Sequence, residues 1–129
     1  MVEPAAPNHS PQKSFLLVDD DLDVLKFVSL LIGQKIPYAV YCCRTAMQAL
    51  KAASQLSLQL LILDYQLPDI SGLALHDRLQ TFAHLQDVPA IMMSAYEQPV
   101  GELQRRHICF LCKPFQVSRL LAGIEVALA

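Results

Sequence analysis

The sequence predicts a doubly wound α/β fold, and two observations support this prediction. Five short apolar segments alternate with segments whose apolar residues recur at the spacing of an α-helix. Four of the five apolar segments are nearly continuous in apolar character, which is typical of parallel strands buried on both faces. Repeated strand–helix alternation favours a parallel sheet with helices on both sides, and right-handed crossovers restrict its topology.

The elements follow in chain order from these patterns. The five predicted strands are Phe15–Val18, Ala39–Cys42, Leu58–Leu63, Ala90–Met93 and Ile108–Cys112. The predicted helices have apolar stripes, which are Leu25, Val28 and Ile32 in the first; Ala46, Met47, Leu50 and Ala53 in the second; Leu75, Leu79 and Phe82 in the third; and Val117, Leu120, Leu121, Ile124 and Leu128 in the last.

The fourth helix is predicted to be short. Only 18 residues separate Ser94 from Lys113, and the fifth strand takes five of them. Pro99 and Gly101 further restrict the remainder, so this helix can hold about two turns.

The composition indicates one compact domain. The chain has 129 residues, of which 53% are hydrophobic and 17% charged, and this balance argues against disorder. The net charge of −2 provides no basic field for nucleic acid or an anionic membrane.

Residues 1–12 contain three prolines, no lysine or arginine and no apolar run, so we expect a disordered tail rather than a signal peptide. The domain is expected to span residues 13–129, in the cytoplasm.

The cysteines include one C-x-x-C pair, Cys109 and Cys112, which is a spacing used by redox and metal sites. Successive side chains of a strand point to opposite faces, so these two thiols would diverge, as would those of Cys42 and Cys43. No second C-x-x-C pair or paired histidine in the sequence completes a zinc site. We therefore expect the four cysteines to be small buried hydrophobic side chains.

Polar residues follow the predicted strands where a doubly wound sheet binds its ligands, at the carboxyl ends. Asp19, Asp20 and Asp21 follow the first strand, and Asp64 ends the third. Ser94 ends the fourth strand. No glycine-rich phosphate loop follows any strand, which disfavours a nucleotide-binding protein.

Convergence of these groups favours carboxylate phosphorylation. Carboxylates from two neighbouring strands repel one another, and a hard divalent cation such as Mg²⁺ relieves that repulsion. Lys113, which follows the fifth strand, would neutralise a phosphoryl group arriving at one of the carboxylates.

Four blocks of sequence resemble the motifs of bacterial receiver domains, the chemotaxis-regulator-like switches of two-component signalling. The blocks are residues 15–21, FLLVDDD; residues 61–72, LILDYQLPDISG; residues 92–95, MMSA; and residues 110–115, FLCKPF. They occur in the family's order, and the resemblance covers roughly residues 13–129. It implies a five-stranded parallel sheet of flavodoxin-like order 2-1-3-4-5 with about five helices.

The resemblance also implies a role for each site residue. Asp64 corresponds to the phosphoacceptor, and Asp19 and Asp20 to the acidic pair that holds Mg²⁺. The backbone carbonyl of Gln66 corresponds to a further metal ligand, so that the implied metal site is Asp19, Asp20, Asp64 and Gln66.

The remaining positions correspond to the phosphate-binding and switch residues. Lys113 matches the lysine that pairs with phosphoryl oxygens, and Ser94 the hydroxyl that turns toward them. Phe110 matches the aromatic switch residue, and the bond before Pro114 matches the family's cis peptide.

In function, the resemblance implies a phosphoprotein of a phosphorelay. A histidine kinase or histidine phosphotransfer protein would donate the phosphoryl group to form an aspartyl phosphate. Such a domain catalyses only its own phosphotransfer and dephosphorylation, and it is not an enzyme acting on an external substrate. Because no effector domain follows in this sequence, we expect output through a downstream protein or a missing effector domain, with no direct contact to nucleic acid or membrane.

Simpler interpretations remain for individual residues. Asp19 and Asp20 could cap a helix, Asp64 could only form a turn, and Phe110 could be an ordinary core aromatic. Two other functions also remain. One is a receiver-like interaction module that works without phosphorylation, which the short fourth helix favours. The other is a Mg²⁺-dependent hydrolase, which the absence of a second acid two residues after Asp64 disfavours.

Overall fold

The computed structural model describes residues 13–96 and 100–129. The strands are β1 (Ser14–Val18), β2 (Ala39–Cys43), β3 (Leu60–Asp64), β4 (Ala90–Ser94) and β5 (Ile108–Cys112). The helices are α1 (Leu22–Lys35), α2 (Ala46–Ala53), α3 (Gly72–Leu79), α4 (Val100–Arg105) and α5 (Val117–Leu128), with a 3-10 turn at Ala83–Leu85. The predicted tail, residues 1–12, lies outside the described residues.

All five strands pair in parallel, in the order β2-β1-β3-β4-β5. The predicted fold class and strand order are therefore confirmed. Each predicted strand is present, and its bounds shift by two residues at most. Because parallel strands end at the same edge, Asp64 at the end of β3 lies at the edge from which Asp19, Ser94 and Lys113 also emerge.

Alternate residues of the strands form two apolar cores, one on each face of the sheet. Phe15 and Leu17 of β1 belong to the core covered by α1 and α5, and Leu16 and Val18 belong to the core covered by α2, α3 and α4. Burial of both faces explains why the strands are almost continuously apolar.

Three helices that follow strand ends at the carboxyl edge have side-chain caps at their starts. Asp21 accepts from the N–H of Asp23 at the start of α1. Thr45 and Ser71 cap α2 and α3 in the same way. Each cap provides a partner for an N–H group that lacks one within its helix.

Helix α4 is short, as expected, with six residues. Leu103 anchors it in the core, and Arg106 just beyond it forms ion pairs with Glu102 and with Asp77 of α3. Residues 97–99, which precede it, lie outside the described residues. Within the described ranges, no helix combines the length and apolar character needed to cross a membrane.

Two details of the predicted helical stripes are wrong. Met47 is 62% exposed, because Ala46, Ala49 and Ala53 form the buried face of α2. Val117 is exposed as the first residue of α5, where Leu120 and Ile124 provide the core contacts.

The prediction of buried cysteines is wrong for Cys109 and Cys112, which are exposed thiols, whereas Cys43 is buried. Both lie on β5, an edge strand that has a neighbour on one side only. Cys109 faces α5 at Gly123, where an added Cβ would lie 4.0 Å from the thiol sulfur. A helix with glycine at this position leaves the strand partly uncovered, and a cavity of about 310 Å³ remains beside it.

Candidate functional site

The candidate site is built from four adjacent strand ends. Asp19 and Asp20 follow β1, Asp64 ends β3 and Ser94 ends β4, while Lys113 follows β5. The sequence-predicted residues are thus brought together by strand order alone, although Asp19 and Lys113 are 94 positions apart in the chain.

Three carboxylates form a cluster at this edge. Asp19, Asp20 and Asp64 each offer an oxygen, and these oxygens lie within 4.8 Å of one another. Asp19 is fully buried, Asp64 is 6% exposed and Asp20 is exposed. Among the described residues, no other group of three or more acidic, histidine or cysteine side chains is close enough to hold a metal ion. The donor set consists of hard oxygen atoms, which suits Mg²⁺.

Lys113 provides the compensating positive charge. Its Nζ lies 2.6 Å from Oδ2 of Asp19 and 3.5 Å from Oδ2 of Asp64. Its backbone N–H donates to the carbonyl of Ser94 at 2.7 Å, and its peptide bond to Pro114 is cis. Burial lowers the pKa of Lys113, but the hydrogen bond and charge of Asp19, with the charge of Asp64, outweigh burial and raise the pKa overall.

Asp64 is destabilised as an anion in the absence of a metal ion. Burial and the neighbouring charge of Asp19 raise the pKa of Asp64 to about 6 from 3.8, despite the opposing effects of Lys113 and of the N–H of Gln66. A carboxylate held in this way favours the approach of a cation, because a cation restores the charged form.

A close backbone contact fixes the loop after β3. A Cβ atom added at Gly72 would collide with the carbonyl of Asp64 and would lie 2.9 Å from the sulfur of Met92. The N–H of Gly72 donates to the carbonyl of Tyr65 at 2.6 Å. Only glycine permits this approach of the start of α3 to the end of β3.

The predicted switch residues lie on neighbouring strands, Ser94 at the end of β4 and Phe110 in the middle of β5. The hydroxyl oxygen of Ser94 is buried and accepts from the N–H of Tyr96 at 3.1 Å. Phe110 pairs in register with Met92, is half-buried, and contacts the core on the α2, α3 and α4 side. Gln66 is exposed, and its N–H donates to Oδ1 of Asp64 at 3.3 Å.

Two residues of this region have no role in the sequence analysis. The carboxylate of Asp69 accepts hydrogen bonds from the start of α2, and Arg44 donates to the carbonyl of Asp20. Asp69 follows Pro68 and reads as a turn former, and no local sequence signal indicates a capping partner 22 and 23 residues away.

Comparisons with known proteins identify the family. The response regulator receiver domain model matches residues 15–125. The response regulator protein TmoT of Ectopseudomonas mendocina is 33% identical over 115 residues, which cover 87% of this chain and 51% of that protein. The signal transduction histidine-protein kinase BarA of Escherichia coli K12 is 28% identical over 108 residues, which cover 81% of this chain and 12% of that protein. The chain spans about half the length of the first of these relatives and a smaller part of the second.

Solved structures show the same fold. A CheY-like receiver domain protein from Methanospirillum hungatei JF-1 has a TM-score of 0.81 at 23% identity, covering 91% of this chain and 94% of that one. The receiver domain of a sensor histidine kinase from Pseudomonas aeruginosa PAO1, with a magnesium ion coordinated in its active site cleft, has a TM-score of 0.78 at 18% identity, covering 91% and 98%. Since the family model matches most of the sequence, this chain belongs to the response regulator receiver domain family.

Proposed function

We propose that this protein is a phosphorylation-dependent signalling switch that accepts a phosphoryl group on Asp64 with the help of Mg²⁺. The observation that carries the proposal is the position of Lys113, whose amine lies within 4 Å of two carboxylates in a cluster of three. A metal ion and an amine on either side of one carboxylate can neutralise a phosphoryl group as it arrives. Family membership supports the same class of function.

In this proposal the phosphodonor is the phosphohistidine of a histidine kinase or of a histidine phosphotransfer protein. An oxygen of Asp64 attacks phosphorus, and a P–O bond forms as the P–N bond of the donor breaks. The histidine of the donor keeps the electron pair of that bond. Hydrolysis later returns the Asp64 carboxylate and inorganic phosphate, so the domain acts on its own side chain and turns over no external substrate.

The carboxylates of Asp19, Asp20 and Asp64 and the backbone carbonyl of Gln66 would hold the Mg²⁺ ion. When bound, the ion would neutralise negative charge on the phosphoryl oxygens. Burial and the neighbouring charge of Asp19 together raise the pKa of Asp64, and the unfavourable anion that results supports this assignment. The magnesium ion in the related receiver domain from Pseudomonas aeruginosa supports it as well.

Lys113, Ser94 and Phe110 would convert phosphorylation into a change of shape. The amine of Lys113 would pair with a phosphoryl oxygen and loosen its contact with Asp19. The hydroxyl of Ser94 would turn to donate to another oxygen, and Phe110 would move into the space next to it. A partner protein or effector domain that binds this arrangement more tightly shifts the population toward it, and the coupling is reciprocal.

Intact-mass measurement tests the proposal directly. Wild type is incubated with acetyl phosphate and Mg²⁺, beside Asp64→Ala and a matched control, Asp87→Asn. Asp87 is an exposed carboxylate just before β4, at the opposite edge of the sheet. We expect one phosphate-sized gain in wild type and control that requires Mg²⁺, and none in Asp64→Ala.

The alternative, an interaction module that works without phosphorylation, predicts a different result. Its supporting observation is the six-residue α4, which offers little of a helical face for relaying a signal. Absence of both phosphate gain and Mg²⁺ binding in wild type would favour this module and reject the switch. An equal gain in Asp64→Ala would place phosphorylation at another residue.

A further inference from the structure

Asp69 lies in the loop between β3 and α3, but its carboxylate binds the start of a different helix. Oδ1 accepts from the N–H of Ala46 at 3.0 Å, and Oδ2 accepts from the N–H of Met47 at 3.0 Å. These are first-turn N–H groups of α2, which have no acceptor within the helix. Oδ1 also accepts from the N–H of Ile70 at 3.2 Å. The carboxylate therefore fastens this loop to α2.

Arg44, which lies just before α2, also binds the loop after β1. The guanidinium of Arg44 donates to the carbonyl of Asp20 through Nη2 at 3.0 Å and through Nε at 3.3 Å. The backbone N–H of Arg44 donates in turn to Oε1 of Gln48 in α2 at 2.8 Å. The helix thus connects the two loops that carry Asp20 and Gln66.

The loop that Asp69 fastens follows Asp64 directly and carries Gln66. Gln66 forms an isolated antiparallel bridge with Ser71, which closes the loop at its base, and its N–H contacts Asp64. Asp69 lies near the middle of the segment between Gln66 and Ser71. Asp69 therefore binds to α2 the short loop that also carries the backbone carbonyl of Gln66.

Helix α2 does not depend on Asp69 alone for a cap. The hydroxyl of Thr45 accepts from the N–H of Gln48 at 3.1 Å, which is the usual local N-cap contact. Thr45 and Asp69 therefore bind the same helix terminus, but only Asp69 connects it to the loop after β3. This difference separates a stabilising cap from a positioning contact.

We infer that Asp69 is a positioning residue for the metal and phosphorylation site: by binding α2, it holds the loop that carries Gln66 in register with the loop that carries Asp20. Arg44 has the corresponding role for the loop after β1, because it binds the carbonyl of Asp20. The inference rests on the proposed function, because it assigns Asp69 to the Mg²⁺ site at Asp19, Asp20 and Asp64. It adds a residue that contacts neither the metal ligands nor the phosphoacceptor through its side chain.

The test compares Asp69→Ala with Thr45→Ala as the matched control. Both changes remove a cap from α2, so both are expected to lower the midpoint of thermal unfolding. Calorimetric titration with Mg²⁺ alone should show affinity about tenfold weaker in Asp69→Ala, the size of effect known for residues that orient metal ligands. Thr45→Ala should bind Mg²⁺ like wild type. The rate of phosphorylation by acetyl phosphate at limiting Mg²⁺ should fall in the same order.

Further variants keep the inference open to contradiction. If Asp69→Ala does not fold, Asp69→Asn replaces it, since the amide keeps one acceptor oxygen and should give an intermediate loss of Mg²⁺ affinity. Arg44→Ala should weaken Mg²⁺ binding in the same direction. Equal Mg²⁺ affinities in the Asp69 and Thr45 variants, with wild type binding normally, would overturn the positioning role and leave the proposed function intact. Failure of wild type to bind Mg²⁺ would instead overturn the proposed function, and this inference with it.

Discussion

At the scale of single residues, Asp64 shows a conflict between the stability of the fold and the proposed function. Its carboxylate is almost fully buried beside that of Asp19, and the pKa of Asp64 is raised to about 6 as a result. Between pH 3.8 and about 6 the folded protein therefore binds this proton more tightly than the unfolded chain does. Ionisation of Asp64 at neutral pH consequently lowers the stability of the metal-free fold.

We expect Asp64→Asn to raise the free energy of unfolding at pH 7 in metal-free buffer. The amide removes the buried charge and keeps an acceptor for the N–H of Gln66, so the gain should be on the order of 1 to 3 kcal/mol. The advantage should shrink as pH falls through about 6 toward 3.8, because wild type then becomes neutral at Asp64. Urea unfolding at several pH values measures it. A variant less stable than wild type at pH 7 would contradict the argument.

Some residues of this site can be predicted from the sequence, and others cannot. Asp19, Asp64, Ser94 and Lys113 each follow or end an apolar strand, so a strand pattern places them at one edge. Asp69 has no such signal, because its partners at Ala46 and Met47 are defined by tertiary structure alone. The exposure of Cys109 and Cys112 also escapes the sequence, because the apolar pattern of β5 does not indicate how fully the helices cover this strand.

At the scale of elements, ion pairs connect the short helix α4 to α3. Arg106, just after α4, forms an ion pair with Asp77 of α3, and the same guanidinium binds Glu102. Next to Asp77 is His76, a buried side chain whose Nδ1 atom lacks a hydrogen-bond partner among the described residues. Burial and the positive charge of Arg106 lower the pKa of His76.

This arrangement predicts loss of stability in mild acid. A histidine whose folded pKa is lowered binds fewer protons than the unfolded chain, so its contribution is complete above 6.5 and is lost as pH falls below it. Replacement His76→Leu removes the group that must charge, so the unfolding free energy of the variant relative to that of wild type should rise as pH falls from 7 to 5. The matched control, His107→Asn, changes an exposed histidine with φ of 58°, where asparagine is well tolerated. Identical pH profiles for wild type and His76→Leu would contradict the prediction.

The positions of the strands and helices can be predicted from the sequence more reliably than the face of each helix that is buried. Apolar runs place all five strands, because burial on both sides leaves no room for polar residues. The length of α4 follows from the few residues between Ser94 and Lys113. The outward position of Met47 does not follow, because alanines 46, 49 and 53 form the buried face of α2 and three small residues give a weak periodic signal.

At the scale of the whole molecule, the site lies where four strands of one sheet end, so its geometry depends on the entire fold. The bond between Lys113 and Asp19 joins the fifth strand to the first across β3 and β4. Alternation of strands and helices predicts the doubly wound class, and the resemblance to receiver domains supplies the strand order. Side-chain distances across the sheet cannot be read from the pattern, because they depend on how both cores pack.

Mg²⁺ should therefore stabilise the whole domain rather than one loop. An ion held between the ends of β1 and β3 binds only the folded state, and at a free concentration of 100 times Kd this linkage contributes about 2.7 kcal/mol. For a domain of this size the expected rise in Tm is roughly 10 °C. Calorimetry with Mg²⁺, against a potassium salt at equal ionic strength, measures this rise in Tm.

Asp87→Asn should show the full rise in Tm and Asp19→Asn little of it. Asp64→Asn should begin at a higher Tm and gain less, because the repulsion that Mg²⁺ relieves has already been removed. An equal rise in all four proteins would show that the ion acts on general surface charge and not at the cluster.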